Sequence, residues 1–156
     1  MRKRRAKKRI LAEDPRFNSV LATRFVNNLM KDGKKNTAFK VFYNALDVVA
    51  EKITEENSIK VWEKALENVM PHVEVRSRRI GGATFQIPVE VRPQRKVSLG
   101  MKWLIKYAKQ RRGHSMAEKL AAEIEAAAKG EGQAVKKKED THRMAEANKA
   151  FSHFKF

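Results

Sequence analysis

The sequence predicts an all-α fold class: a mainly helical domain of about six helices, with a protruding two-stranded antiparallel β-hairpin inserted between helices three and four. Three observations lead there. Apolar residues recur at i, i+3, i+4 and i+7 in successive stretches from Leu21 to Ile124, the signature of helices packing one face inward. One segment, VEVRSRRIGGATFQIPVEVRP at 73–93, instead alternates with period two on both sides of Gly81-Gly82. No internal repeat is present, and 156 residues with 42% hydrophobic and 34% charged composition suit one core of ordinary size.

In chain order, residues 1–10 form a basic arm, with seven Lys or Arg and no acidic residue in the first nine positions. Charges of one sign at that density repel, so the arm is predicted to be disordered, and residues 11–156 to form a single helical domain. Ser19 is a plausible N-cap for a first helix carrying Leu21, Phe25, Val26, Leu29 and Met30, which Gly33 ends. A second helix runs from about Asn36 to Ile53. A third follows Asn57, carries Ile59, Trp62, Leu66, Val69 and Met70, and stops at Pro71. Trp62 belongs to the apolar stripe and reads as core.

The hairpin occupies 73–91. A two-residue Gly-Gly turn would set Val75 against Pro88 and Val73 against Glu90, mixing polar and apolar faces, so the alternation predicts a longer loop and places Val75 against Val89 or Ile87. Pro93 fits the first position of a fourth helix, with Val97, Met101, Leu104, Ile105 and Ala108 inward and Lys102, Lys106, Lys109 and Arg112 off the stripe. Ser115-Met116-Ala117-Glu118 is a capping box for an Ala-rich fifth helix that Gly130 closes. The sixth, from about Gln133, is mostly polar. Lys136, Lys137 and Lys138 stand at its start, where the helix dipole disfavours cations unless an anion is near, a pointer to phosphate. The terminal Phe151, Phe154 and Phe156 are expected to dock on the protein itself or on a neighbour.

The formal net charge of +17 is unevenly placed: segments 1–9, 10–70, 71–113 and 114–156 carry +7, 0, +9 and +1. The excess lies in the arm and in the hairpin with its following helix, which points to a polyanion gripped by guanidinium forks and ammonium groups. A plain structural hairpin with a soluble basic face is the simpler alternative. The absence of Cys removes disulfides and thiolate metal sites. His72, His114, His142 and His153 lack ligand spacing, so no metal is expected. No Gly-rich phosphate loop or nucleophile elbow is present, and the acidic residues sit at helical spacings near Lys, as on solvated faces. Neither an enzyme nor a cofactor is expected. No apolar run is long enough for a membrane span, and the basic N-terminus has no signal-peptide core.

The chain resembles the bacterial small-subunit ribosomal protein S seven family. The matching stretches are MRKRRAKKR, MKDGKK at 30–35, the whole of 73–93, SMAEKLAAEI at 115–124 and the near-terminal VKKKEDTHRMAEANKAFSHFKF. Phe17, Phe154 and Phe156 stand where other aromatics are usual. The resemblance implies a cytoplasmic, ribosome-bound protein on the 3′ major domain of 16S rRNA. Such a protein nucleates head assembly and lies beside neighbouring small-subunit proteins, the E-site tRNA and the decoding region. Some members also repress their own operon mRNA, a role no residue here implies. Carried over by position, the RNA-facing residues are Arg2, Lys3, Arg4, Arg5, Lys7, Lys8, Arg9, Lys34, Lys35, Arg76, Arg78, Arg79, Arg92, Arg95, Lys96, Lys136, Lys137, Lys138 and Arg143. Gly81, Gly82 and Ala83 would lie near tRNA. On physics alone two rivals stay open: a DNA-bending protein with Arg-bearing β-arms, although the Gly-Gly-Ala tip offers no good wedge, and a scaffold that adds a strand to a partner sheet.

Overall fold

A computed structural model describes residues 9–54 and 56–154. The predicted disorder of the arm therefore falls almost wholly on residues 1–8, outside the described residues. The elements are α1 (Val20–Leu29), α2 (Lys35–Lys52), α3 (Ser58–Val69), β1 (Val73–Ile80), β2 (Ala83–Glu90), α4 (Pro93–Gln110), α5 (Met116–Ala128), α6 (Gln133–Ala147) and a final 3-10 helix (Lys149–Phe154). The fold class and the hairpin's place between α3 and α4 are as the sequence predicts.

The caps explain where the helices start. Ser19 Oγ accepts from Ala22 N–H, Asn57 Oδ1 from Ile59 N–H and Ser115 Oγ from Glu118 N–H, each answering an amide that the first turn leaves free. The return arm of the α5 capping box reaches one residue further out, with Glu118 Oε2 accepting from His114 N–H at 3.2 Å. α1 is shorter than its apolar run suggests. It ends at Leu29 because Asp32 and Gly33 take positive φ, 52° and 72°, to turn the chain into α2.

The core is built on three rings from three helices. Phe25, Phe42 and Trp62 are each fully buried, with centroids 5.2 to 5.4 Å apart and Trp62 edge-on to both Phe rings. α5 packs against α2, α3 and α4, and its Ala-rich sequence lets three helices approach it closely around Leu120 and Ile124. Where α3 meets α4, a Cβ on Gly100 would sit 3.0 Å from both Leu66 Cδ1 and Met70 Cγ, so only glycine fits without displacement.

The hairpin register differs from the expectation. Ile80 pairs with Ala83 across a two-residue turn at Gly81-Gly82, both with positive φ (56° and 89°), as a type I′ turn requires. Val75 therefore faces Pro88 and Val73 faces Glu90, the mixed pairing that alternation argued against. The mixing is tolerated because the ribbon is covered on both faces at its root: the successive residues Ile87 and Pro88 point opposite ways and both are buried. α6 packs against both strands, and the terminal 3-10 helix packs against β2. Phe151 and Phe154 lie 5.2 and 5.8 Å from Phe85, so these two rings dock on the chain's own hairpin, while Phe156 lies outside the described residues.

Three acidic residues depart from the expected solvated faces: Asp14 and Glu123 are fully buried and Glu74 nearly so. Asp14 accepts from Arg16 N–H (3.1 Å), Phe17 N–H (2.9 Å) and Tyr43 O–H (2.7 Å), pinning the segment after the basic arm to α2. Burial and this carboxylate together push the Tyr43 phenol up to about 12.

Candidate nucleic-acid interface

The hairpin root gathers cations around one carboxylate. Glu74 points from β1 into the root, where Arg76 Nε and Arg95 Nε donate to it at 2.9 and 2.8 Å. Two guanidinium groups on one carboxylate leave a net positive charge, and both arginine side chains stay about half exposed at 51%. The pairing fixes the forks while half of each side chain stays exposed, so the cations are oriented and not neutralised.

The three hairpin arginines divide between the faces. Arg76 and Arg78 share the face of Glu74 and Phe85, whereas Arg79, opposite Thr84, projects exposed from the other. Arg78 Nη1 donates to the Phe154 carbonyl at 2.9 Å, tying the strand to the terminal helix. The tip, Gly81, Gly82 and Ala83, is exposed.

A histidine pair joins the root to α4 and α6. His142 Nε2 accepts from His72 N–H at 3.0 Å, and Lys96 Nζ lies 3.0 Å from His72 Nδ1. Burial first, then the charges of Lys138 and His72, hold the His142 imidazole below its usual 6.5. Glu90, Glu146 and Lys149 line the same recess. Because the folded value is depressed, the stability His142 contributes is complete above pH 6.5 and is lost as pH falls through its lowered midpoint. An NMR titration of His142 is expected to give a midpoint below 6.5, with the His72 amide shift following it. A midpoint at or above 6.5 would contradict the geometry.

The remaining predicted cations fall in separate places. Arg92 is the exposed N-cap of α4. Lys34 and Lys35 are exposed at the α1–α2 turn, with Lys35 Nζ 5.7 Å from the Phe39 ring centroid. Arg143 is exposed, with Asp140 at 3.9 Å. Arg9 is exposed, and Arg2, Lys3, Arg4, Arg5, Lys7 and Lys8 lie outside the described residues. Lys136 is exposed and Lys137 and Lys138 half-buried on α6, but the anion inferred beside them belongs to the protein. Glu123 Oε1 accepts from Ala134 N–H at 2.9 Å, so a carboxylate of α5 occupies the start of α6, and the pointer to phosphate there loses its force.

The sequence left Lys31 unassigned and marked Lys109 only as facing solvent or a ligand; with Lys34 they rim a cleft between α1, α2, α4 and α5. Lys109 stood off the α4 stripe, the only signal available. Among the described residues no group of acidic residues and histidines could hold a metal ion, and no helix is long and apolar enough to cross a membrane.

A family model described as Ribosomal protein S7p/S5e matches residues 1–149. Curated relatives named "Small ribosomal subunit protein uS7" are similar along their whole lengths, covering all of both chains. They are 67% identical in Flavobacterium psychrophilum, 62% in Cytophaga hutchinsonii and 56% in Bacteroides fragilis.

Proposed function

The chain belongs to the Ribosomal protein S7p/S5e family, and on that premise we propose that it anchors the 3′ major domain of 16S rRNA in the head of the small ribosomal subunit. It is a ribosomal structural protein and not an enzyme. The observation that carries the RNA reading is the hairpin root, where Arg76 and Arg95 are held half exposed on a single buried carboxylate. Folded RNA presents a deep, narrow groove, so proteins read its shape and phosphates with projecting elements, and a stiff basic ribbon together with a basic N-terminal sequence suits that task. Arg79 toward the tip and Arg92 and Lys96 at the root add further cations, Lys35 would make a separate contact from the α1–α2 turn, and the exposed Gly81-Gly82-Ala83 tip would reach the E-site tRNA. Neighbouring small-subunit proteins would cover part of the remaining surface, placing the protein in the ribosome of the cytoplasm. The leader of its own operon mRNA would compete for this surface if it carried the same shape.

Filter binding to a 16S 3′-domain fragment tests the reading. Arg79→Ala removes an exposed cation with no ion pair among the described residues, and Arg76→Ala leaves Glu74 paired to Arg95. The double variant is expected to keep the wild-type melting temperature and to lose roughly 1.4 to 1.8 units of salt slope, about 0.7–0.9 for each phosphate contact. An unchanged slope and affinity would remove the hairpin from the interface. A wild-type preference for bent duplex DNA over the rRNA fragment would favour the architectural rival.

A further inference from the structure

We propose that the cleft between α1, α2, α4 and α5 receives one unpaired nucleotide of the bound RNA, its base on the apolar floor and its phosphate on the lysine rim. This rests on the RNA reading above and adds a specific subsite to it. The cleft measures about 320 Å³, within the range of clefts that take small ligands, roughly 300–1,000 Å³. Its walls are Leu29, Ala38, Val41 and Met116, an apolar surface on which a flat base can lie, with the polarisable Met116 thioether as one contact.

The rim supplies the charge. Lys31 comes from the α1–α2 turn, Lys34 is the N-cap of α2, and Lys109 comes from the last turn of α4. All three are exposed, none has an ion pair among the described residues, and no carboxylate lines the cleft. Lys34 gives α2 no side-chain cap, so the positive end of an 18-residue helix opens beside the same three cations. Like charges gathered there repel one another until an anion enters. An apolar floor under a cationic rim matches a nucleotide, whose base seeks burial and whose phosphate seeks ammonium groups. Single-stranded bases splayed out of the stack are how RNA is most often read.

Thr37 also lines the cleft, exposed on the first turn of α2, so a larger side chain can fill the space without disturbing the core. The test pairs binding of the 16S 3′-domain fragment with 2′-hydroxyl acylation of the RNA in the complex. Thr37→Trp is expected to lower affinity about fivefold, the low end of what one stacked base is worth because no aromatic lines the cleft, at unchanged melting temperature. One unpaired nucleotide protected in the wild-type complex should become reactive. Lys109→Gln, a change at an exposed position, should expose the same nucleotide and reduce the salt slope by about 0.7–0.9. If both variants bind as tightly as wild type with the same protection pattern, the nucleotide subsite is overturned while the RNA reading stands. That result is also the one expected if the cleft instead takes an apolar side chain from an acidic peptide. If the wild-type chain itself has no affinity for the fragment, the RNA reading fails.

Discussion

Replacing Glu123 with alanine will destabilise the fold by about 3 kcal/mol, although this fully buried residue is not itself a predicted RNA contact. Its carboxylate is fully buried and joins three helices. Oε2 takes the Arg111 Nε donor from the C-terminal end of α4, and Oε1 takes the Ala134 amide from the first turn of α6. Gly132 closes over the pair, since a Cβ there would lie 3.2 Å from Glu123 Oε1 and 3.4 Å from Arg111 Nη2.

Two costs follow from truncation. The Ala134 N–H is left buried without an acceptor, which costs about 1–3 kcal/mol. Arg111 is left without its counter-charge, but its side chain is 31% exposed, so water solvates part of the stranded guanidinium. The total therefore falls at the low end of the ~3–5 kcal/mol expected when a buried pair loses one member. Glu123→Gln keeps an acceptor for Ala134 and forfeits only the charge, so it should lose roughly half as much. Urea unfolding followed by circular dichroism measures both. An alanine variant within 1 kcal/mol of wild type would mean that the triple junction is not under load.

What the sequence made legible was whatever depends on near neighbours. Ser19, Asn57, Pro93, Ser115 and Gly130 mark helix ends because a cap acts on amides or carbonyls within one turn, and each does so where expected. What escaped depends on partners far along the chain. Glu74 looks like the polar half of an alternating strand until Arg95, 21 residues away, folds over it. Glu123 looks like a solvated face of α5 until α4 and α6 close on it. The hairpin register failed for a related reason. Alternation argues for one covered face, and nothing local says that α6 and the terminal 3-10 helix cover the root from two sides. The candidate site divides the same way. Its cations were visible as residue types, but the grouping of Arg76 with Arg95, and of Lys109 with the Lys31–Lys34 turn, is tertiary.

Deleting residues 1–9 should produce the largest loss of RNA binding of any change considered, with almost no loss of stability. The stability half rests on Asp14. Its three accepted hydrogen bonds fasten the chain to α2 downstream of the cut, Arg16 pairs with Asp47 beyond it, and among the described residues no member of the hydrophobic core precedes Phe17. The binding half rests on charge. Seven cations leave with the arm, out of a net +17, from a chain whose next 61 residues are electrically balanced. If between half and all of them meet phosphates, the salt slope falls by about 3 to 6 units, at roughly 0.7–0.9 per contact. Near physiological salt, the corresponding drop in affinity is on the order of a hundredfold or more. The slope discriminates better than the affinity, because an arm acting only through long-range attraction would slow association and leave most contacts, and so most of the slope, in place. Titrating the truncated and full chains against the same rRNA fragment at several salt concentrations separates the cases. Parallel slopes would confine RNA contact to the folded body, with the hairpin root as its centre.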